Sequence, residues 1–374
     1  MAVPVLHVCD KFGVAGSSIH GVSRLFSWWF PRYDPKRFDV SLVGLKKPEP
    51  ASELLKRQGI PVHHLNRGRF DPRIVTDLVA VARTRHARIL HVHGYAAADF
   101  GRLAARRVGA KLVLHEHFAD PRMPRYQALA DRLLAGLTDR AIAVSGSTRD
   151  FLVRERSVPA ERVRLIWNGA PLHEFASASR EQALALRRTL GIAEGALLFG
   201  IVGRLSEQKG HRHLLDAMAR VFPKTPGGRL LVVGDGDRME SLQAQAAALG
   251  IADRVVFAGH RSDVPEVLAA LDVLCISSTY EGTPLVLFEA MAAGKTIVST
   301  AVDGCREVLE DGVTALLAPP ADPAVLGAAL QRVAEDPALR ARLAASARKA
   351  SARYDIGECV RQMEALYDEV LAAR

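Results

Sequence analysis

The sequence is short of the features that mark several classes of protein. No run in its 374 residues reaches the 18 or so uncharged apolar positions that a helix needs to cross a bilayer. The N-terminal MAVPVLHVCD has no basic stretch ahead of its short apolar run, so it reads as a first buried strand rather than a signal peptide. Cys9, Cys275, Cys305 and Cys359 are scattered without a CxxC pair, which argues against a disulfide framework or a zinc knuckle. A GxGxxG fingerprint is also missing. The first candidate loop, DKFGVAGSSIHGVSRLF, has glycines at 13, 16 and 21, and the second strand ends in Gly44-Leu45 rather than in an acid for a ribose hydroxyl. A dinucleotide oxidoreductase loses support, and the expectation is a reduced, cytoplasmic protein.

What is present is ordinary globular composition, 49% apolar and 24% charged, in a length that suits two domains. The charge is uneven. Residues 1 to 170 hold 28 Lys+Arg against 15 Asp+Glu, while the remainder holds 22 against 26, so the net +9 belongs to the first half alone. That half calls for an anionic partner, either a membrane surface or a nucleic acid, or else it is a solubilising surface.

Short Val/Ile/Leu-rich runs alternate with helical patterns throughout, the signature of parallel sheets flanked by helices. Seven strands are expected in the first half, at 3–9, 38–45, 61–65, 88–93, 111–117, 140–145 and 163–167. The pattern restarts with six more at 196–203, 229–234, 254–259, 272–277, 296–300 and 314–318. Two doubly wound, Rossmann-like domains follow, with ligands expected at the carboxyl ends of the strands. The boundaries are placed at 1–170 and 171–353.

Three stretches in those loops carry chemistry. The glycine-rich loop around Gly16 opens a helix, a place for phosphate. GRLSEQKG, residues 203 to 210, puts Arg204 and Lys209 between a strand and a helix, where two cations could hold a diphosphate and stabilise it as a leaving group. In TYEGTPLVLFEAMAAG, residues 279 to 294, Thr283 suits an N-cap and Pro284 the first helical position. Glu289 is the only charge in the nearly all-apolar helix that follows, and Glu281 stands just before it. A buried carboxylate needs a partner. Carboxylates beside a helix start that favours anions suit a nucleotide-sugar site, where they accept from sugar and ribose hydroxyls.

Taken together, GRLSEQKG, VGDGD (233 to 237) and EGTPLVLFEAMAAG resemble the C-terminal domain of retaining glycosyltransferases of family 4, of the bacterial polysaccharide or glycolipid type. EGTPLVLFEAM carries the Glu-x7-Glu signature of that family. AVSGSTRDF and IWNGAPLHEF resemble the end of its first domain, and YDIGECVRQMEALYDEV (354 to 370) the final helix that returns to it. The resemblance implies the GT-B fold, two Rossmann-like domains facing each other across a cleft, with residues 354–374 packing back on the first. It implies an enzyme without cofactor or metal that moves a sugar from a UDP- or GDP-sugar to a carbohydrate or lipid-linked acceptor. Arg204 and Lys209 would contact the diphosphate, Glu289 the ribose, and Glu281 the donor sugar. Gly282, Thr283, Pro284 and Leu285 would complete the donor site. Gly16 would approach the phosphate or acceptor, and His117 the transferred sugar. The catalytic set is thus Glu281, His117, Arg204 and Lys209. The loop AGSSIHG lacks the paired glycines of many relatives, and Pro171 replaces a common acid.

Other readings stay open. A GT-B epimerase or phosphorylase would share the phosphate contacts, and a non-catalytic basic membrane- or nucleic-acid-binding protein would explain the charge. His91 and His93, with His115 and His117, lie at two strand ends and could bind zinc, although their spacing is of no recognised zinc type. Asp235-Gly-Asp237 reads as a structural turn. The segment HGVSRLFSWWFPRYDPKR, residues 20 to 37, mixes aromatic and basic residues as a membrane-interface helix does, at the inner face of a membrane carrying anionic lipid. Packing into the core is the alternative.

Overall fold

A computed structural model describes residues 1–13 and 21–373 of the chain. Among these, residues 1–13, 21–168 and 356–373 form one compact unit and residues 169–355 a second.

In the first unit the strands are β1 (Val3–Cys9), β2 (Phe38–Gly44), β3 (Val62–His64), β4 (Ile89–His93), β5 (Lys111–Glu116), β6 (Arg140–Ala143) and β7 (Val163–Leu165). All run parallel in the order β3-β2-β1-β4-β5-β6-β7. Between them lie α1 (Gly21–Trp29), α2 (Pro50–Arg57), α3 (Arg73–Thr84), α4 (Tyr95–Val108), α5 (Arg125–Leu134) and α6 (Gly146–Arg154). The chain order reverses between β1 and β4, the switch point at which such sheets bind ligands.

The period of two along the strands divides this sheet into two unlike faces. Leu6, Val8, Leu90, Val92, Leu112 and Leu114 join Ile74, Leu78, Ala97 and Ala104 of α3 and α4 in an apolar core. The alternate positions His7, His91, His93 and His115 are also fully buried, among Phe26, Trp29, Phe30 and Tyr367. That face therefore buries polar rings, which have to satisfy one another.

The second unit contains α7 (Leu172–Ala176), α8 (Arg180–Thr189), β8 (Leu198–Val202), α9 (His211–Val221), β9 (Arg229–Val233), α10 (Met239–Ala248), β10 (Val255–Gly259), α11 (Val264–Ala270), β11 (Val273–Ile276), α12 (Leu285–Ala292), β12 (Thr296–Thr300), α13 (Asp303–Val308), β13 (Leu316–Ala318), α14 (Pro323–Glu335) and α15 (Pro337–Ser351). Its six strands are parallel in the order β10-β9-β8-β11-β12-β13, with the switch point between β8 and β11. Phe199, Ile201, Leu230, Val232, Leu214, Met218 and Leu330 lie in its core. The last helix, α16 (Ile356–Ala372), belongs to the first unit and packs on α1.

The structure decides between the two readings of the 20–37 segment. Phe26, Trp28, Trp29 and Phe30 of the 20–37 segment are all buried. α1 lies against the sheet, α2 and α16, so its aromatics fill the interior instead of presenting a membrane-facing surface.

Candidate active site

The predicted site residues stand at the carboxyl ends of strands, and those of the second unit lie beside its switch point. In the second unit β8 ends at Val202, and Arg204 to Lys209 lead to Gly210 and α9. β11, its neighbour in the sheet, ends at Ile276 and leads through Ser277 to Glu281 into α12. The two loops are bound to each other. Thr279 N donates to the Gln208 carbonyl (2.8 Å), Ser277 Oγ to the Lys209 carbonyl (2.9 Å), and Gln208 Nε2 to the Tyr280 carbonyl (3.1 Å). Gly210 makes this approach possible. Its φ is +62°, and a Cβ there would stand 2.0 Å from the Ser277 carbonyl oxygen.

The consequence is a contact the sequence could not display. Lys209 Nζ and Glu281 Oε1 are 2.5 Å apart, both largely shielded from solvent, and Ser278 Oγ donates to the same carboxylate oxygen (2.9 Å). Arg204 is half-buried on the same loop, and its guanidinium has no ion pair among the described residues. The Asp235-Gly236-Asp237 turn braces this loop, because Leu205 N donates to the Asp235 carbonyl (2.8 Å).

α12 starts one residue later than the sequence suggests. Pro284 occupies the N-cap position with φ −67° and ψ 128°, and Thr283 lies before it with its side chain buried. The proline has no N–H to offer and is fixed in a φ that suits either place, so the cap is made by backbone geometry. Gly282 and Thr283 are covered by α13, where Gly304 meets the Gly282 carbonyl so closely that a Cβ would overlap it. Leu285 opens the helix at its surface, and Glu289, one turn deeper, is fully buried.

In the first unit His117 follows β5 directly and donates to or accepts from His93 Nδ1 through Nε2 (3.0 Å). The preceding residue, Glu116, is pinned by Arg156 Nη1 (2.5 Å), whose Nε also holds the buried Asp131 (2.9 Å). Gly16 lies outside the described residues. Just before it, Glu49 Oε2 accepts from Phe12 N (2.6 Å) and Gly13 N (2.9 Å), fixing where that loop departs.

Sequence reasoning missed three groups. Asp10, at the end of β1, accepts from Ala97 N (2.5 Å) and Ala96 N (3.3 Å) at the start of α4, and burial raises its carboxyl above the ordinary range. His7 and Tyr367 join the histidines of β4 and β5. The signal for His7 was legible, since LHVC, LHVH and LHEH recur at the ends of three strands. Parallel register then places His7 beside His91 and His93 beside His115.

His7, His91 and His93, and separately His93, His115 and His117, bring ring nitrogens within 4.8 Å of one another. Three imidazoles are enough donors for a transition metal. However, the rings of His115 and His117 are stacked, 4.4 Å apart at 11°. In-plane lone pairs of parallel rings point side by side rather than at one centre, and several of these nitrogens are already hydrogen-bonded to one another. The arrangement fits a hydrogen-bonded column better than a coordination site.

The relatives decide the family. Residues 31–174 match the model "Glycosyltransferase Family 4", and residues 183–350 the model "Glycosyl transferases group 1". A D-inositol 3-phosphate glycosyltransferase of Saccharomonospora viridis is 30% identical over 360 residues, covering 87% of this chain and 82% of its own. The chain belongs to glycosyltransferase family 4. By that membership it is an enzyme of the hexosyltransferase class, and its two Rossmann-like units are those of the GT-B fold. The UDP-Gal:alpha-D-GlcNAc-diphosphoundecaprenol alpha-1,3-galactosyltransferase of Escherichia coli is 26% identical over 302 residues, 76% of this chain and 77% of its own. Among solved structures, Anabaena HepE in complex with UDP superposes with a TM-score of 0.84 at 26% identity, over 99% of this chain and 100% of that one. The chain of this family 4 glycosyltransferase carries Glu281 and Glu289 at the Glu-x7-Glu spacing, and Arg204 and Lys209 in the loop after β8.

Proposed function

We propose that this glycosyltransferase is a retaining enzyme that moves a hexosyl group from a UDP-sugar, before a GDP-sugar, to a hydroxyl of a carbohydrate or lipid-linked acceptor in envelope polysaccharide or glycolipid synthesis. The observation that carries the reading is the pairing of Lys209 with Glu281 at the β8/β11 switch point: a cation for a diphosphate beside a carboxylate for sugar hydroxyls. Support for the donor comes from the HepE complexes with UDP and with UDP and glucose, and support for a lipid-linked acceptor from the E. coli relative's name.

In this reading the second unit binds the donor and the first the acceptor. Arg204 and Lys209 hold the diphosphate, with the N–H groups of Gly282, Thr283 and Leu285 at the start of α12 as further donors. Pro284 fixes the turn. Glu289 accepts from the ribose, Glu281 from the donor sugar, and His117 contacts the transferred sugar, while Gly16 approaches the phosphate. A phosphate oxygen competes for Lys209 and releases Glu281 Oε1 for the sugar. The acceptor oxygen bonds to the anomeric carbon on the face from which the phosphate leaves. The C–O bond to phosphate breaks, and the departing phosphate takes the acceptor proton. The two cations then stabilise the charge that a metal ion would otherwise meet, so catalysis is mainly positioning and electrostatics.

The enzyme works in the cytoplasm, against the anionic inner face of the membrane. With the 20–37 aromatics buried, the surface that suits this is α5 and its neighbour loop. Phe70 (68% exposed), Leu129 (60%) and Leu133 (73%), with Tyr126, form an exposed apolar stripe. Phe70 and Tyr126 are in ring contact at 5.6 Å. Around them stand Arg69, Arg122, Arg125 and Arg132, none ion-paired among the described residues, and Arg69 lies over both rings. Apolar side chains ringed by arginines match acyl chains beneath anionic headgroups.

Calorimetric titration of UDP, GDP and ADP with EDTA present, repeated on Glu289→Gln, tests the donor site. One nucleotide is expected to bind and to weaken by roughly tenfold in the variant, the loss of one charged hydrogen bond. Anomeric analysis of the product tests the chemistry: an inverted linkage, or an epimerised or phosphorolysed sugar in place of a glycoside, overturns the reading.

A further inference from the structure

Six polar rings of the first unit, five of them buried and His117 half-buried, form one hydrogen-bonded path. From His117 Nε2 it runs to His93 Nδ1 (3.0 Å), from His93 Nε2 to His7 Nδ1 (3.1 Å), and from His7 Nε2 to the Tyr367 hydroxyl (3.3 Å). Beyond Tyr367 it continues to His91 Nδ1 (2.6 Å), and from His91 Nε2 to His115 Nδ1 (3.2 Å). The Tyr33 hydroxyl approaches Tyr367 to 3.1 Å. The path joins four places distant in sequence: the ends of β1, β4 and β5, and α16.

A neutral imidazole has one N–H and one lone pair, so a chain of them passes its protons in a single direction. His7, His91, His93 and His115 are neutral. Loss of water pushes His7 down to about 3 and holds His91, His93 and His115 well below the ordinary histidine range. Direction is therefore set at the hub. Tyr367 has one proton to give and two lone pairs with which to receive, and it has three neighbours. If its proton goes to His91 or to Tyr33, His7 must donate Nε2–H to Tyr367. His7 Nδ1 then accepts from His93 Nε2, and His93 Nδ1 from His117 Nε2. Only a proton placed on the longest contact, the one to His7, would reverse the order. The 2.6 Å contact to His91 is of the length that an O–H donor makes.

We infer that Tyr367, His7 and His93 are positioning residues that hold His117 as its Nε2–H tautomer, with that proton directed at His93, and so fix the orientation of the ring at the end of β5. The tautomer does not rest on the sugar contact proposed for His117 above.

Long-range proton–nitrogen NMR on the full chain labelled with 15N-histidine reads each tautomer directly, with His7→Gln, His93→Gln and His117→Gln spectra giving the assignments. In the wild-type protein, Nε2 is expected to be protonated and Nδ1 bare at His7, His93 and His117. In Tyr367→Phe, His7 Nε2 has nothing to donate to, and the paired nitrogen shifts of His93 and His117 are expected to move toward each other. Tyr33→Phe should leave His117 at its wild-type shifts. A His117 protonated at Nδ1 in the wild-type spectrum overturns the inference, and that reading needs no variant to fold. Unshifted nitrogens in a folded Tyr367→Phe overturn the directing role of the tyrosine. Wild-type turnover in His117→Gln would remove the sugar contact and leave the tautomer assignment standing.

Discussion

Lys209 has two claimants of the same sign. Its present partner is Glu281 at 2.5 Å, and a diphosphate would bring further negative charge to the same ammonium. The pair keeps a half-buried cation in place without an unpaired charge, which would be costly at this depth. Loss of the ammonium should leave Glu281 uncompensated and the leaving group short of one hydrogen-bonding cation. Lys209→Ala is therefore expected to lower turnover by roughly a hundredfold, the scale of a lost oxyanion donor. Steady-state kcat for sugar transfer checks this, and an unchanged value would remove Lys209 from the clamp. At this scale the sequence was informative about residue types: Arg204, Lys209, Glu281 and Glu289 are chemically conspicuous where they stand. It could not show the Lys209–Glu281 pair, because 72 positions separate the two and only adjacent strands bring them together.

Among the elements, α1 and α5 exchange the roles that composition assigns. α1 carries Phe26, Trp28 and Trp29 beside basic residues, yet it is an interior helix whose aromatics cover the histidine column. α5 has an ordinary composition and exposes Tyr126, Leu129 and Leu133 along one stripe. Which face of a helix is covered depends on what packs against it, and that is not written in its own residues. The expectation for α5 is concrete. The wild-type protein should sediment with vesicles containing anionic lipid and remain in solution with neutral ones. Leu129→Lys with Leu133→Lys should release it while leaving its thermal stability within about 0.5 kcal/mol, as exposed substitutions do. Equal sedimentation of wild type and variant would remove α5 from the contact. Strand positions were the most legible elements, because continuous Val/Ile/Leu runs admit few alternatives in a parallel sheet. Helix starts were less so, as the one-residue shift at Pro284 illustrates.

At the scale of the whole molecule, the buried histidines make stability depend on pH. A folded imidazole whose pKa lies below its unfolded value near 6.5 takes up a proton on unfolding, so its stabilising contribution is complete above that value and lost as pH falls through it. For His7 in the first unit and His211 in the second, both lowered to about 3 by burial, the loss continues from pH 6.5 down to about 3. His91, His93 and His115 are lowered in the same direction by the same cause. Between pH 6.5 and 5.5 the four depressed histidines of the first unit together remove roughly 4 kcal/mol, a large part of the 5–15 kcal/mol that a domain ordinarily has. Melting followed by circular dichroism should show a steep fall over that interval, shallower in His91→Gln if the variant folds. A melting temperature constant from pH 7 to 5 would mean that the histidines are not buried as neutral rings.

The sequence by itself determined the two parallel-sheet units, the family and the residue types of the donor loops, because hydrophobic period, turn chemistry and the Glu-x7-Glu spacing are local properties. Tertiary structure decided the rest. It placed Lys209 on Glu281, turned the tryptophans of α1 inward, and joined His7, His91, His93, His115 and His117 through Tyr367 of the last helix. The physical reason is common to all three: strand order and parallel register bring together side chains that are far apart along the chain, and a buried polar group takes its partner from whatever that packing places beside it.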